Sequence, residues 1–307
     1  SLAGQQISRQ LVNALLLWFH NKWMPKLIFS WKSFKELFGF GSNLLVAGII
    51  DTIWNQLYQI VIGRCYTPTL GLYTKANEFG SIFSSNLTSV VQSVSFPSLS
   101  KIQDDLVRLK AGYKKVITCS MLLSFPLMMG MAAVAEPMIK LLIGNVWLPC
   151  VPFLQIICFQ QLLYPLHAIN LSLLQVRGRS ELFLKIQIIK KIMSAIPLIL
   201  GVFVGIYYML FGSVIVGFVA YYINAYYSRP LLSYGIKEQI KDITPSFLIS
   251  FFMATIVYLV SFLPLKPLAL ICLQIPTGII IEIALCEIFR LSEYKEIKGI
   301  ILSAIKK

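Results

Sequence analysis

Apolar residues recur along this chain in blocks of about twenty, and almost all of the charge lies between the blocks. At 1.5 Å of rise per residue, about twenty residues of helix match the ~30 Å hydrocarbon core of a bilayer. The blocks are Ser42–Gly63, Phe79–Ser98, Lys115–Ala135, Pro149–Leu174, Phe183–Val204, Ile206–Tyr227, Pro245–Leu263 and Pro267–Phe289. None alternates in the manner of a barrel strand, and lipid offers a backbone no hydrogen-bonding partners, so each block is read as a helix. The expected fold is an all-α, polytopic transmembrane bundle. Composition agrees: charged residues make up 13% of the 307, against about a quarter in a soluble domain. The mean hydropathy is +0.75.

Gln5–His20 reads as the closing part of another spanning helix. With Ser1 at the start and nothing like a signal peptide, the chain is expected to be a fragment. The net charge of +14 could suggest nucleic acid, but its placement points elsewhere. Asn21–Phe40, Lys101–Lys115, Arg177–Lys185, Arg229–Lys241 and Arg290–Lys307 hold about twenty basic residues, whereas the opposite connections hold only Arg64, Lys75, Lys140 and Lys266. This is the positive-inside pattern, which places the basic loops and the C-terminus in the cytoplasm. The expected surroundings are therefore a phospholipid bilayer and no nucleic acid. Asn21–Phe40 sets Lys22, Lys26, Lys32 and Lys35 among Trp23, Phe29, Trp31, Phe34 and Phe38, a composition suited to the headgroup layer. Six cysteines without C-x-x-C spacing indicate neither a zinc site nor a redox motif. Only Cys65 and Cys150 fall on the same expected outer side, and apolar filling is the preferred reading of all six.

Within Ser42–Gly63, Asp51, Asn55 and Gln59 recur every fourth residue and share one helical face, with Tyr58 beside them. An ionised Asp in mid-span costs roughly 2.5–3.5 kcal/mol on the insertion scale, so it should face protein or water. The face is either a cavity wall for polar cargo or a coupling cation, or an interhelical hydrogen-bonding seam. Lys190 and Lys191 lie nearly two turns inside the next basic loop, with Gln187 and Ser194 alongside. They either hold a phosphate-like anion in a wet vestibule or snorkel, as Lys185 can. Pro149–Leu174 contributes Gln155, Gln160, Gln161, His167 and Asn170, where His167 is a relay or a packing residue. Ser84, Ser85, Asn86, Ser89 and Ser93 form a small polar face suited to close helix contact. Glu287 is expected to pair with Arg290. Lys101–Asp105 and Asp104–Arg108 are spaced as i,i+4 helix pairs. No nucleophile has a matching base, and no phosphate-cradling glycine loop or metal-ligand cluster is present. Neither an enzyme nor a cofactor is therefore expected, and transport would be ion-coupled or downhill.

Four segments resemble a known family: GLYTKANEF (71–79), FPSLSKIQDDLVRLKAGYKK (96–115), VRGRSELFLKIQIIKK (176–191) and KEQIKDITP (237–245). They are similar to the bacterial lipopolysaccharide and capsular polysaccharide flippases, within the multidrug/oligosaccharidyl-lipid/polysaccharide exporter superfamily. The resemblance implies two six-helix lobes around a central cavity and export of undecaprenyl-pyrophosphate-linked oligosaccharides across the inner membrane. On that pattern, residues 1–20 end the last helix of a missing first lobe and 21–41 form an amphipathic cytoplasmic linker. Residues 42–228 are then the second six-helix lobe, 229–243 a cytoplasmic loop, 244–290 an extra helix pair and 291–307 a cytoplasmic tail. Asp51, Asn55, Gln59 and Gln155 would meet the sugar, and Arg177, Arg179, Lys190 and Lys191 the pyrophosphate; other polysaccharide-assembly proteins are possible partners. A cation-coupled multidrug-type exporter on the same scaffold and a membrane-bound polysaccharide polymerase or scaffold remain the alternatives.

Overall fold

A computed structural model describes residues 2–21 and 29–305, and no strand occurs among them. The chain divides into two units, residues 1–39 and 40–307.

The first unit holds α1 (Leu2–Asn21) and the opening turns of α2 (Trp31–Cys65). Phe29, Trp31, Phe34 and Phe38 form a ladder of ring contacts with centroids 5.4–5.9 Å apart, and all four rings are exposed. The Lys35 ammonium lies 5.8 Å from the Trp31 ring centroid. This is the described half of the aromatic–lysine connector; Lys22, Trp23 and Lys26 fall outside the described residues, as do Lys306 and Lys307.

The second unit continues α2 and adds α3 (Thr67–Lys101), α4 (Leu106–Ala133), α5 (Ala135–Leu142), α6 (Val151–Gln161) and α7 (Tyr164–Val176). Then follow α8 (Ser180–Phe203), α9 (Ile206–Leu232), α10 (Ile236–Val260), α11 (Pro267–Ile288) and α12 (Ser292–Ile305). Among the described residues, seven helical stretches are long and apolar enough to cross a membrane, counting Asn145–Val176 as one. The protein is a multi-pass membrane bundle. The eighth expected block lies in α3, which is 35 residues long but lacks the apolarity of the seven. Its polar groups turn back on their own helix: Asn86 donates to the Ile82 carbonyl at 2.6 Å and Thr88 to that of Ser84 at 2.7 Å. Ser84 also meets Gln161, which ties α3 to α6.

Pro149–Leu174, read from sequence as one span, is broken between α6 and α7 at Leu162–Leu163. Pro165 sits in the first turn of α7, where its missing N–H costs nothing. The Leu162 carbonyl at the break accepts from Ser124 at 3.0 Å.

The core gathers on α4. Tyr113, Ile117, Met121 and Phe125 repeat every four residues, form one face and are fully buried. α10 packs along α4, with the Phe125 and Phe247 rings edge to face at 5.4 Å. A polar network crosses this core. Tyr113 donates to the Asn170 side-chain carbonyl at 2.7 Å, Ser228 donates to it at 3.2 Å, and Gln239 reaches Tyr221, Asn170 and Ser228 at 3.2–3.4 Å. These bonds join α4, α7, α9 and α10.

Two local expectations change. Asp105 does not pair with Lys101 along a helix; it caps α4, accepting from the backbone N–H of Val107 and Arg108 at 3.1 Å each. Residues 102–105 leave helical geometry, and the acid is worth more on free N–H groups than on an exposed lysine. Glu287 pairs with Lys298 of α12, not with Arg290, whose backbone turns to φ 52° at the α11–α12 corner.

Candidate functional site

Polar side chains tie α2 and the α2–α3 corner to the helices beside them, along with buried Ala47 and Ile62. Asn43 donates to Ser180 at 3.1 Å, Asp51 pairs with Lys191, Tyr58 and Ser213 share a hydrogen bond at 2.9 Å, and Tyr66 donates to the Gly201 carbonyl. Residues 43, 51, 58 and 66 stand seven or eight apart, about two turns, so they form one seam facing α8 and α9.

The middle of the seam carries the charge. The Lys191 side chain is 18% exposed and Asp51, on the outer side of the pair, 47%. Asn55 donates to the other Asp51 oxygen at 3.3 Å. One residue earlier on α8, the Lys190 ammonium donates to Gln187 at 2.8 Å and lies within electrostatic reach of Asp51 and Lys191. Tyr164 neighbours Asp51 from α7. His167, near Lys190, shares a 3.0 Å hydrogen bond with Asn224, whose buried side-chain oxygen has no partner among the described residues. The cluster thus holds two ammonium groups against one carboxylate. That surplus positive charge suits an anion, and the open flank of Asp51 and Asn55 offers hydrogen-bonding groups beside it.

The other sequence candidates stand elsewhere. Gln59 lies two turns from Asp51 on the same side of α2 and is exposed. Gln155 donates to the Ala132 carbonyl at 3.2 Å, between α6 and α4. Arg177 donates to the Gln103 carbonyl at 3.0 Å, closing the loop before α4 onto the end of α7. Arg179 is exposed at the start of α8, eleven residues and therefore about 16 Å before Lys190. The six cysteines are unpaired. Sequence reasoning missed Ser213, Asn224 and Tyr164 as neighbours of the cluster. The available signal was polar residues inside otherwise apolar helices, without any indication of which helices meet.

Comparison with known proteins gives this arrangement a context. A family model described as "Polysaccharide biosynthesis protein" matches residues 1–152. The teichuronic acid biosynthesis protein TuaB of Bacillus subtilis is 28% identical over 58% of this chain and 37% of its own length. The lipopolysaccharide biosynthesis protein WzxC of Escherichia coli is 25% identical over 66% of this chain and 41% of its own. The succinoglycan biosynthesis transport protein ExoT of Rhizobium meliloti is 27% identical over 52% and 33%. The chain therefore spans well under half the length of these curated relatives. Among solved structures, the lipid II flippase MurJ in an inward closed conformation superposes with a TM-score of 0.67 at 16% identity, covering 86% of this chain and 56% of MurJ. By sequence this chain is similar to bacterial polysaccharide-biosynthesis proteins, and its helical fold is similar to that of the MurJ flippase.

Proposed function

We propose that this chain works in moving lipid-linked oligosaccharides, joined to undecaprenyl through pyrophosphate, across a bacterial inner membrane for surface polysaccharide assembly. The observation that carries this reading is the surplus positive charge beside a half-exposed carboxylate on the α2 seam. A pyrophosphate needs ammonium donors, which Lys190 and Lys191 supply, and sugar hydroxyls need a carboxylate and amides, which Asp51, Asn55 and Gln59 supply. Without cargo, Asp51 neutralises Lys191; with cargo bound, the phosphate competes for the same ammonium. Asp51 is therefore a holding group for the lysine, which favours an anionic cargo over a cationic drug. Arg177 and Arg179 extend the positive potential towards the cytoplasmic ends of α7 and α8. In this reading residues 42–228 are one six-helix lobe, α10 and α11 are an added pair, and the C-terminus is cytoplasmic.

The test is surface polysaccharide in cells, normalised to protein in the membrane. Lys191→Glu turns the cluster net negative and is expected to abolish export, and Lys190→Ala to lower it about tenfold, the loss of one charge-assisted contact. Normal polysaccharide in Lys191→Glu cells would overturn the assignment.

A further inference from the structure

One acidic side chain stands apart from the α2 seam, in the contact between α10 and α11. Glu282 lies six residues before Ile288, the last residue of α11. One of its carboxyl oxygens, Oε1, is 2.8 Å from the hydroxyl of Ser250 on α10, a residue that is 0% exposed. The other, Oε2, is buried and has no hydrogen-bond partner among the described residues. No cation faces the pair of oxygens. On α11 the titratable neighbour is the Cys286 thiol, one turn on, which Glu293 of α12 also approaches. On α10 the nearest titratable groups, Asp242 and Tyr258, each stand eight residues, about 12 Å, from Ser250. From the other helices packed on α11, α4 brings Cys119, which is bonded to Glu296, and α5 brings Glu136 and Lys140, both exposed.

A carboxylate in this place would bury a charged oxygen without a donor or a counter-ion, which costs far more than burying a neutral one. The carboxylic acid removes that defect. Its hydroxyl donates to Ser250, since a serine oxygen accepts as readily as it donates, and the oxygen left over is a neutral carbonyl. The same helix already carries one neutral oxygen of this kind. Gln274, 0% exposed and about two turns earlier, donates to the Val257 carbonyl at 3.0 Å and to Ser261 at 2.7 Å, while its own Oε1 has no partner among the described residues. We propose that Glu282 is a proton-binding site of the α10–α11 pair. The two helices pack as they do here around the acid, and release of its proton to water loosens them at Ser250. The ligand is a single proton, and the site depends on neither the Asp51–Lys191 cluster nor its cargo.

The experiment treats the full chain in native membranes with dicyclohexylcarbodiimide, an apolar reagent that adds to the acid form of a carboxyl group, and reads the adduct by peptide mass spectrometry. At about pH 6 it should modify Glu282 and spare Glu287, which is exposed and paired with Lys298. Modification of Glu282 should fall by about tenfold or more on going to about pH 9, as the acid form is depleted. Cys286, 2% exposed, reports the packing. N-ethylmaleimide should label it about tenfold faster in wild type than in Glu282→Gln at about pH 9, because the amide keeps the neutral form, and at equal rates in both at about pH 6. A carboxylate beside the thiol slows its reaction, so the faster labelling can come only from opening. Absence of the Glu282 adduct at the lower pH, an adduct that persists unchanged at the higher, or equal Cys286 rates in the two proteins at the higher pH would overturn the proposal.

Discussion

Asn170 lies where four helices meet, and replacing it with leucine isolates one buried group. Its side-chain carbonyl accepts from Tyr113 at 2.7 Å, from Ser228 at 3.2 Å and from Gln239 at 3.4 Å. Ser228 keeps the Ala225 carbonyl as an acceptor, and Gln239 keeps the Tyr234 carbonyl and Tyr221. Tyr113 is 0% exposed, and its hydroxyl loses its 2.7 Å acceptor and keeps only the weaker approach to the Ser228 hydroxyl. A buried donor without a partner costs about 1–3 kcal/mol, and each interhelical hydrogen bond lost within a membrane costs about 0.6 kcal/mol on average. Asn170→Leu should therefore destabilise the bundle by roughly 2–3 kcal/mol. Tyr113→Phe alone removes donor and bond together and should cost about 1 kcal/mol. In the Asn170→Leu background the same Tyr113→Phe should be neutral or stabilising, because it deletes the weakly held hydroxyl. Steric trapping in bicelles measures all three unfolding free energies and yields the coupling directly. An equal cost for Tyr113→Phe in both backgrounds would refute the reasoning.

Other consequences follow from the same packing and charges. Gly212→Ala would place a methyl 3.0 Å from the Pro197 Cβ and 3.4 Å from its Cα, so it should separate α8 from α9 and cost about 1–3 kcal/mol in the same unfolding assay, while Gly217→Ala meets open space and should be near neutral. Tyr234, in the connection between α9 and α10, has its pKa pushed up by burial and by its hydrogen bond to Asp242. Above the ordinary tyrosine value of 10 the unfolded chain releases a proton that the folded state retains, so stability should fall as pH rises past 10, and less steeply in Tyr234→Phe. In a Cys272→Ser background, exposed Cys65 should react with a membrane-impermeant maleimide added outside spheroplasts, whereas Lys237→Cys with Cys65→Ser added should label only after permeabilisation; the reverse pattern would invert the proposed orientation.

The spans were legible in the sequence because hydrocarbon imposes a length, and Ser42–Gly63 or Pro267–Phe289 need only be counted. Long-range pairing was not. The four-residue recurrence of Asp51, Asn55 and Gln59 shows a shared face, yet only the fold shows that the face meets Lys191, 140 positions away. Gln155 carried the same residue chemistry as Gln59 but lies against the Ala132 carbonyl, a distinction set by helix rotation. The α6–α7 break is silent in the sequence because Pro165 in an apolar run reads equally as a kink or as the first turn of a new helix. At Asp105, pair spacing and capping place an acid at the same spot, and only the backbone at 102–105 decides between them.

The proposed function requires water to reach the α2 seam, and site-directed thiol labelling in native membranes probes this most directly. A water-soluble maleimide should modify Asn55→Cys and Gln59→Cys quickly, and added lipid-linked oligosaccharide should protect both. Ile279→Cys, on an exposed apolar face of α11, should stay unmodified. Labelling of Asn55→Cys as slow as that of Ile279→Cys would mean that the seam faces acyl chains, which would contradict the central claim.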